Sequence, residues 1–143
     1  MTSPHPAGPG FAEAYSRAWT SQPGELLHFF APDGSYTDVA MDATYNGREE
    51  IARFHRWMLK FAPDCVIEFS DACAVDRRLY LEWVWSGTFE GALRLPDGAS
   101  VESTGAKFSV PGVAACRYAA DGKLLSHRDY WDLRTLLRQV DTP

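Results

Sequence analysis

Residues 47–64, GREEIARFHRWMLKFAPD, are where the chain changes its period. Ile51, Phe54, Met58 and Phe61 recur at three-and-four spacing, which puts them on one side of a helix. Glu49 and Glu50 fall in its first turn and Lys60 in its last, each at the end of the helix dipole that favours its charge. Pro63 stops the helix. Beyond it the pattern turns extended, over residues 66–75, 78–90, 101–118 and 123–131. Asp97-Gly98 and Asp121-Gly122 punctuate these segments, so antiparallel hairpins are expected.

Upstream, Phe11, Tyr15, Ala18 and Trp19 form the buried stripe of a first helix that ends before Pro23 and Gly24. A short second helix is expected from Pro23 through Leu26, Leu27, Phe29 and Phe30, stopping at Pro32 and an Asp33-Gly34 turn. Residues 35–40 then read as a strand, and residues 1–10, with three prolines and two glycines, as a disordered tail. At the other end, Leu133, Leu136 and Leu137 have helical spacing and should cover a sheet edge or end. Helices first and long strands after give an α+β fold: three N-terminal helices packed on a curved antiparallel sheet, with a short C-terminal helix. Residues 11–143 should form one domain, and the space between helices and sheet is a cone in which a pocket can sit.

At 143 residues, 45% hydrophobic and 23% charged, the chain has the material for one core and enough charge to stay dissolved. No apolar run approaches the roughly 18 to 20 residues of a membrane span, and MTSPHPAGPG lacks the layout of a signal peptide. A soluble, cytoplasmic protein is expected. The formal charge of −5, with no basic stripe, argues against nucleic acid as a partner. Cys65, Cys73 and Cys116 show neither paired nor metal-site spacing and read as free thiols. Aromatics make up 13% of residues, five of them tryptophan, which points to a roomy aromatic pocket for a hydrophobic small molecule.

Alternation along a strand assigns the faces on which chemistry can sit. Leu79, Leu81, Trp83, Trp85 and Phe89 share one side, while Tyr80, Glu82, Val84, Ser86 and Thr88 form a mixed face suited to a dimer interface. In SHRDYWD, residues 126–132, Leu125, His127, Asp129 and Trp131 point together. If Leu125 and Trp131 mark the inside, Asp129 and His127 enter the cone, where a desolvated carboxylate is suited to acid/base work near neutral pH. Asp38, on a face with Tyr36 and Ala40, is a second candidate, and Tyr15 a phenol that needs a partner for its hydroxyl. Bland readings stand beside each: an Asp129–His127 structural pair, a strand-end Asp38, a core Tyr15. Trp19, Trp57, Trp83, Trp85 and Trp131, with His55, are candidate pocket walls. His127-x-Asp129 matches part of a two-histidine, one-carboxylate iron site, but only His28 or His55 could complete it, so no metal is expected. Phosphate loops and nucleophile elbows are absent, and no cofactor is implied.

The run FAPDGSYTDVAMDATYNGREEIARF, together with the closing DGKLLSHRDYWDLRTLLRQ, resembles the SnoaL-like polyketide cyclases and their ketosteroid isomerase-like relatives, of the nuclear transport factor 2-like fold. The resemblance spans nearly all of residues 11–140. It implies a cofactor-independent enzyme that abstracts a proton next to a carbonyl of a polyketide- or terpenoid-type molecule, then cyclises or isomerises it. Dehydration, epoxide hydrolysis and plain ligand binding are the alternatives hosted by the same fold. It assigns the acid/base aspartate of the cyclases to Asp129, the isomerases' general base to Asp38, and their oxyanion tyrosine to Tyr15. From its place on the strand beside Asp129, His127 is expected to join Tyr15 in offering a hydrogen bond to the developing enolate oxygen. The isomerases' second oxyanion acid falls at Ala114 or Ala115, and the arginine and aspartate of epoxide hydrolases at Trp83 and Trp85. A homodimer is implied as well.

Overall fold

The computed structural model describes residues 3–140. In chain order the elements are α1 (Phe11–Ser21), α2 (Pro23–His28), β1 (Phe30–Asp38), β2 (Ala43–Asn46), α3 (Gly47–Phe61), β3 (Val66–Phe69), β4 (Cys73–Val75), β5 (Arg78–Thr88), β6 (Leu93–Arg94), β7 (Ser100–Val101), β8 (Lys107–Tyr118), β9 (Leu124–Trp131) and α4 (Leu133–Val140). The main sheet runs β2-β1-β9-β8-β5-β3, with β4 also on β5, while β6 and β7 form a separate hairpin around Asp97-Gly98.

The helices follow from the stripes in the sequence. Phe11, Tyr15, Ala18 and Trp19 are the buried residues of α1, which packs against β3. Ile51, Phe54, Met58 and Phe61 are buried on α3, which packs against β1. Pro23 opens α2, and Glu50 accepts the backbone N–H of Asn46 at the start of α3 at 2.9 Å. Helix α4 covers an edge as expected: past Trp131 the β8 backbone has lost its β9 partner, and the Gln139 amide bonds Ser109 N–H and C=O at 2.7 and 3.0 Å instead.

Several expectations need correction. The sheet is not wholly antiparallel, because β1 and β9 pair in parallel. Phe30 opens β1 rather than closing α2, and the Pro32–Gly34 stretch is a bulge inside that strand, not a turn between elements. Between the Phe30–Leu124 and Ser35–Ser126 pairs, β1 advances five residues and β9 two. Pro32, which has no N–H for a ladder, is tolerated there. Gly34 is required by close approach, since a Cβ would sit 2.8 Å from the Leu124 carbonyl oxygen. Arg48 of α3 meets the Phe30 carbonyl beside the bulge with Nε and Nη2.

The extended stretch at residues 66–75 breaks at Ser70, whose backbone N–H and hydroxyl both donate to the Glu82 carbonyl. That at 101–118 is split: Val101 pairs with Leu93 in the small hairpin, and the chain joins the main sheet only at Lys107, after Gly105 turns it with a φ of 71°. Part of the expected free tail lies against the domain: Pro6 is buried and the His5 ring meets Tyr118 edge-on, 5.4 Å between centroids. Residues 1, 2 and 141–143 fall outside the described part. Among the described residues no helix is long and apolar enough to cross a membrane.

Candidate active site

Strand alternation carries the polar side chains of β1 and β9 to the buried face. Tyr36 and Asp38 from β1, and His127 and Asp129 from β9, are each at most 8% exposed. The apolar flank assumed on β9 is different: Leu124 is buried and Leu125 exposed. A register shift between Arg117 and Tyr118 puts one extra residue in β9 there, which reverses the side of Leu125 without disturbing the alternation beyond it.

Asp129 is held from three directions. His127 Nε2 lies 2.6 Å from Oδ1, Trp83 Nε1 donates to the same oxygen at 2.9 Å, and the Tyr36 hydroxyl donates to Oδ2 at 2.6 Å. Behind the imidazole, Tyr15 Oη is 2.7 Å from His127 Nδ1. Burial alone would push His127 down, but the Asp129 charge, with smaller contributions from Tyr15 and Cys116, holds it well above its ordinary value. Charged, the ring donates from both nitrogens, to Asp129 and to Tyr15. Burial raises the Tyr15 and Tyr36 phenols, Tyr36 further through Asp129 and Asp38, so both stay protonated.

Trp83 reaches Asp129 because of what stands across from it. Its register partner on β8 is Gly112, where a Cβ would lie 2.1 Å from Trp83 Cζ2. Only a glycine lets the indole lie flat across β8 and extend its N–H to the next strand.

Asp38 is the register partner of Asp129 in the parallel pair and faces the same space. Trp131 Nε1 donates to its Oδ1 at 2.8 Å and the Met41 N–H at 3.2 Å. Burial pushes its carboxyl up to about 6; the Trp131 hydrogen bond opposes this and the Asp129 charge adds to it.

The cavity over these two carboxylates is lined by all five tryptophans, Trp19, Trp57, Trp83, Trp85 and Trp131, and by Tyr36 and Phe54 among others. Its volume is about 50 Å³, counted as the space open to the centre of a water-sized sphere. On that scale one water needs about 10 to 15 Å³, so it takes one small organic molecule. The roomy pocket inferred from the aromatic content is therefore filled largely by the aromatics themselves.

Three expected site residues lie outside it. Tyr15 and His127 are wholly buried behind Asp129 and do not line the cavity, because Trp19 and Tyr36 stand in front of them. His55 sits beneath Trp19, its Nε2 on the Trp19 carbonyl at 2.7 Å, with burial lowering its pKa. It braces a wall and does not form one. Among the described residues no group of three or more His, Cys, Asp or Glu could hold a metal ion. The sequence reading missed Tyr36 as a partner of Asp129, although its alternation with Asp38 was visible, and Gly112, whose role needs the β5–β8 register.

The architecture is shared with solved structures. A hypothetical protein of ketosteroid isomerase-like fold from Catenulispora acidiphila DSM 44928, in complex with trimethylamine, is 27% identical, with 96% of each chain covered and a TM-score of 0.78. TsrD from Streptomyces laurentii is 23% identical over 89% of each chain, at 0.74. A protein provisionally named a polyketide cyclase, from Xanthomonas campestris pv. campestris, is 22% identical over 91% of this chain and 93% of that one, at 0.70. The latter two share the fold. No curated protein matches the sequence at a significant level. Residues 12–127 match the model of the SnoaL-like domain, and the chain belongs to that family.

Proposed function

We propose that the protein is a cofactor-independent acid/base enzyme acting on a small, largely apolar, carbonyl-bearing molecule of polyketide or terpenoid type. The reaction is proton abstraction next to the carbonyl, followed by cyclisation or isomerisation. The observation that carries this reading is Asp129, a buried carboxylate on the cavity wall with three hydrogen-bond donors fixing its orientation. Asp129 takes the proton from carbon and returns it to the product. As it becomes protonated, the Tyr36 hydroxyl loses its best acceptor and turns to the oxygen on which enolate charge develops. Tyr15 and His127 act from behind, holding Asp129, rather than on the substrate oxygen. Asp38 is the second carboxylate of the cavity.

The test is solvent deuterium exchange. The wild-type protein in D2O, offered a panel of small cyclic ketones and β-diketones, should incorporate deuterium at the carbon next to the carbonyl faster than buffer. No incorporation into any of them would overturn the reading.

A ligand-binding role without chemistry is the second reading, favoured by the small cavity and by the trimethylamine held in the Catenulispora protein. We also retain a two-fold homodimer as a proposal. Tyr80, Val84, Val113 and Tyr130, each more than 40% exposed, share the outer face of β5, β8 and β9 and would be covered by a second copy.

A further inference from the structure

The walls of the cavity carry a charge that a neutral ketone does not answer. Among the described residues no Lys, Arg or His lines it, while two carboxylates do. Asp129 faces His127, and the pair is neutral as a unit. Among the described residues Asp38 has no such counterpart: its hydrogen-bond donors are the Trp131 indole and the backbone amides of Met41 and Ala40, none of them charged. Arg94 lines an outer vestibule shared with Asp38, Tyr45 and Trp57, where Arg53 also acts on Tyr45, and neither arginine lines the inner cavity. One uncompensated carboxylate therefore sits among tryptophan, tyrosine and phenylalanine rings, whose faces are electron-rich.

That combination is the one that recognises an alkylated ammonium group, through the π-faces around it and a carboxylate beside it, with no donor required of the ligand. A neutral ligand of the same shape gains only apolar contact, and an anion is repelled. We propose that the natural ligand carries a substituted ammonium group, seated on Asp38 between Trp131, Trp57 and Phe54, with the rest of the molecule reaching Asp129. The two carboxylates belong to neighbouring strands, about 4.8 Å apart, so one small molecule spans both. This rests on the reading that the cavity is the functional site and extends it from a hydrophobic ligand to a cationic one.

Three probes of one shape test the proposal, by tryptophan fluorescence and calorimetry on the whole chain at pH 8: tetramethylammonium, tert-butanol and pivalate. The cation should bind at least about tenfold more tightly than the alcohol, and pivalate weakest. In Asp38→Asn the advantage of the cation over the alcohol should shrink to within about threefold while alcohol binding persists. Trp57→Leu, which leaves both carboxylates in place, should lower the affinity for the cation more than that for the alcohol. Equal binding of cation and alcohol by the wild type, or an undiminished preference in Asp38→Asn, overturns the proposal. Deuterium exchange separates it from the acid/base reading. Ketone exchange without cation preference sinks the ammonium site alone, and cation preference without exchange sinks the enzyme reading alone.

Discussion

Asp38 and Asp129 stand opposite each other across the parallel pair of β1 and β9, both turned to the buried face. Their hydrogen-bond partners set them apart. Asp129 shares its charge with an imidazole, an indole and a phenol, whereas Asp38 has an indole and backbone amides and, among the described residues, no cation bonded to it. The fold thus keeps an uncompensated carboxylate next to a compensated one, at a cost in stability that a structural role would not require.

The cost has a sign that can be measured. The Asp38 carboxyl is raised from 3.8 to about 6, so its protonated form is favoured in the folded state. Its stabilising contribution is full below pH 3.8 and lost as pH rises through about 6. Asp38→Asn keeps the shape, removes the charge, and should stabilise the protein at pH 8 by up to about 3 kcal/mol, with no gain near pH 3.5. Denaturant melts at the two pH values check this, and equal stability of variant and wild type at pH 8 would contradict it.

Gly112→Ala should act on Asp129 from a distance. The added Cβ takes the place of the Trp83 ring, so the indole must leave and its hydrogen bond to Oδ1 is lost. A destabilisation of about 1 to 3 kcal/mol is expected for such overpacking, with a change in tryptophan emission and a fall in exchange activity. An unchanged emission spectrum with full activity would show that Trp83 does not need the glycine.

Tyr36 and Tyr15 each make a short hydrogen bond, but in different places. Tyr36→Phe removes the cavity-side donor on Asp129 and should lower turnover by about 10²-fold. Tyr15→Phe removes the partner of His127 Nδ1 in the core and should cost about 1 to 3 kcal/mol of stability, with the smaller loss of rate. Rates and melts of the two variants, taken together, would refute the assignment if their order were reversed.

Much of this site was legible in the sequence because strand alternation survives local error. Asp129 and His127 were placed inward from Leu125, which the β9 bulge turns outward, yet the period of two beyond the bulge still delivers both. The Pro32–Gly34 stretch misled because proline and glycine mark bulges as well as turns, and the two differ only in long-range pairing. Register was the missing quantity elsewhere too. Without it Trp83 could not be matched to Gly112, nor Tyr36 to Asp129, nor could Tyr15 be seen to stop at His127. The cavity size was likewise illegible, since five tryptophans can enclose a space or fill it.

Val113→Glu tests the outer face. Val113 stands opposite Tyr130 on the exposed side of β8 and β9, 41% accessible, and a carboxylate there would be buried on dimerisation. Sedimentation at micromolar concentration should give a dimer for the wild type and a monomer for the variant. A wild-type monomer would remove the interface.

The central claim is that Asp129 moves the proton. Deuterium incorporation into one ketone substrate, followed by NMR for the wild type and Asp129→Asn at equal protein concentration, tests it most directly. A loss of about 10²- to 10⁴-fold, with the circular dichroism spectrum unchanged, is the predicted result. Incorporation by the folded variant at the wild-type rate would contradict it.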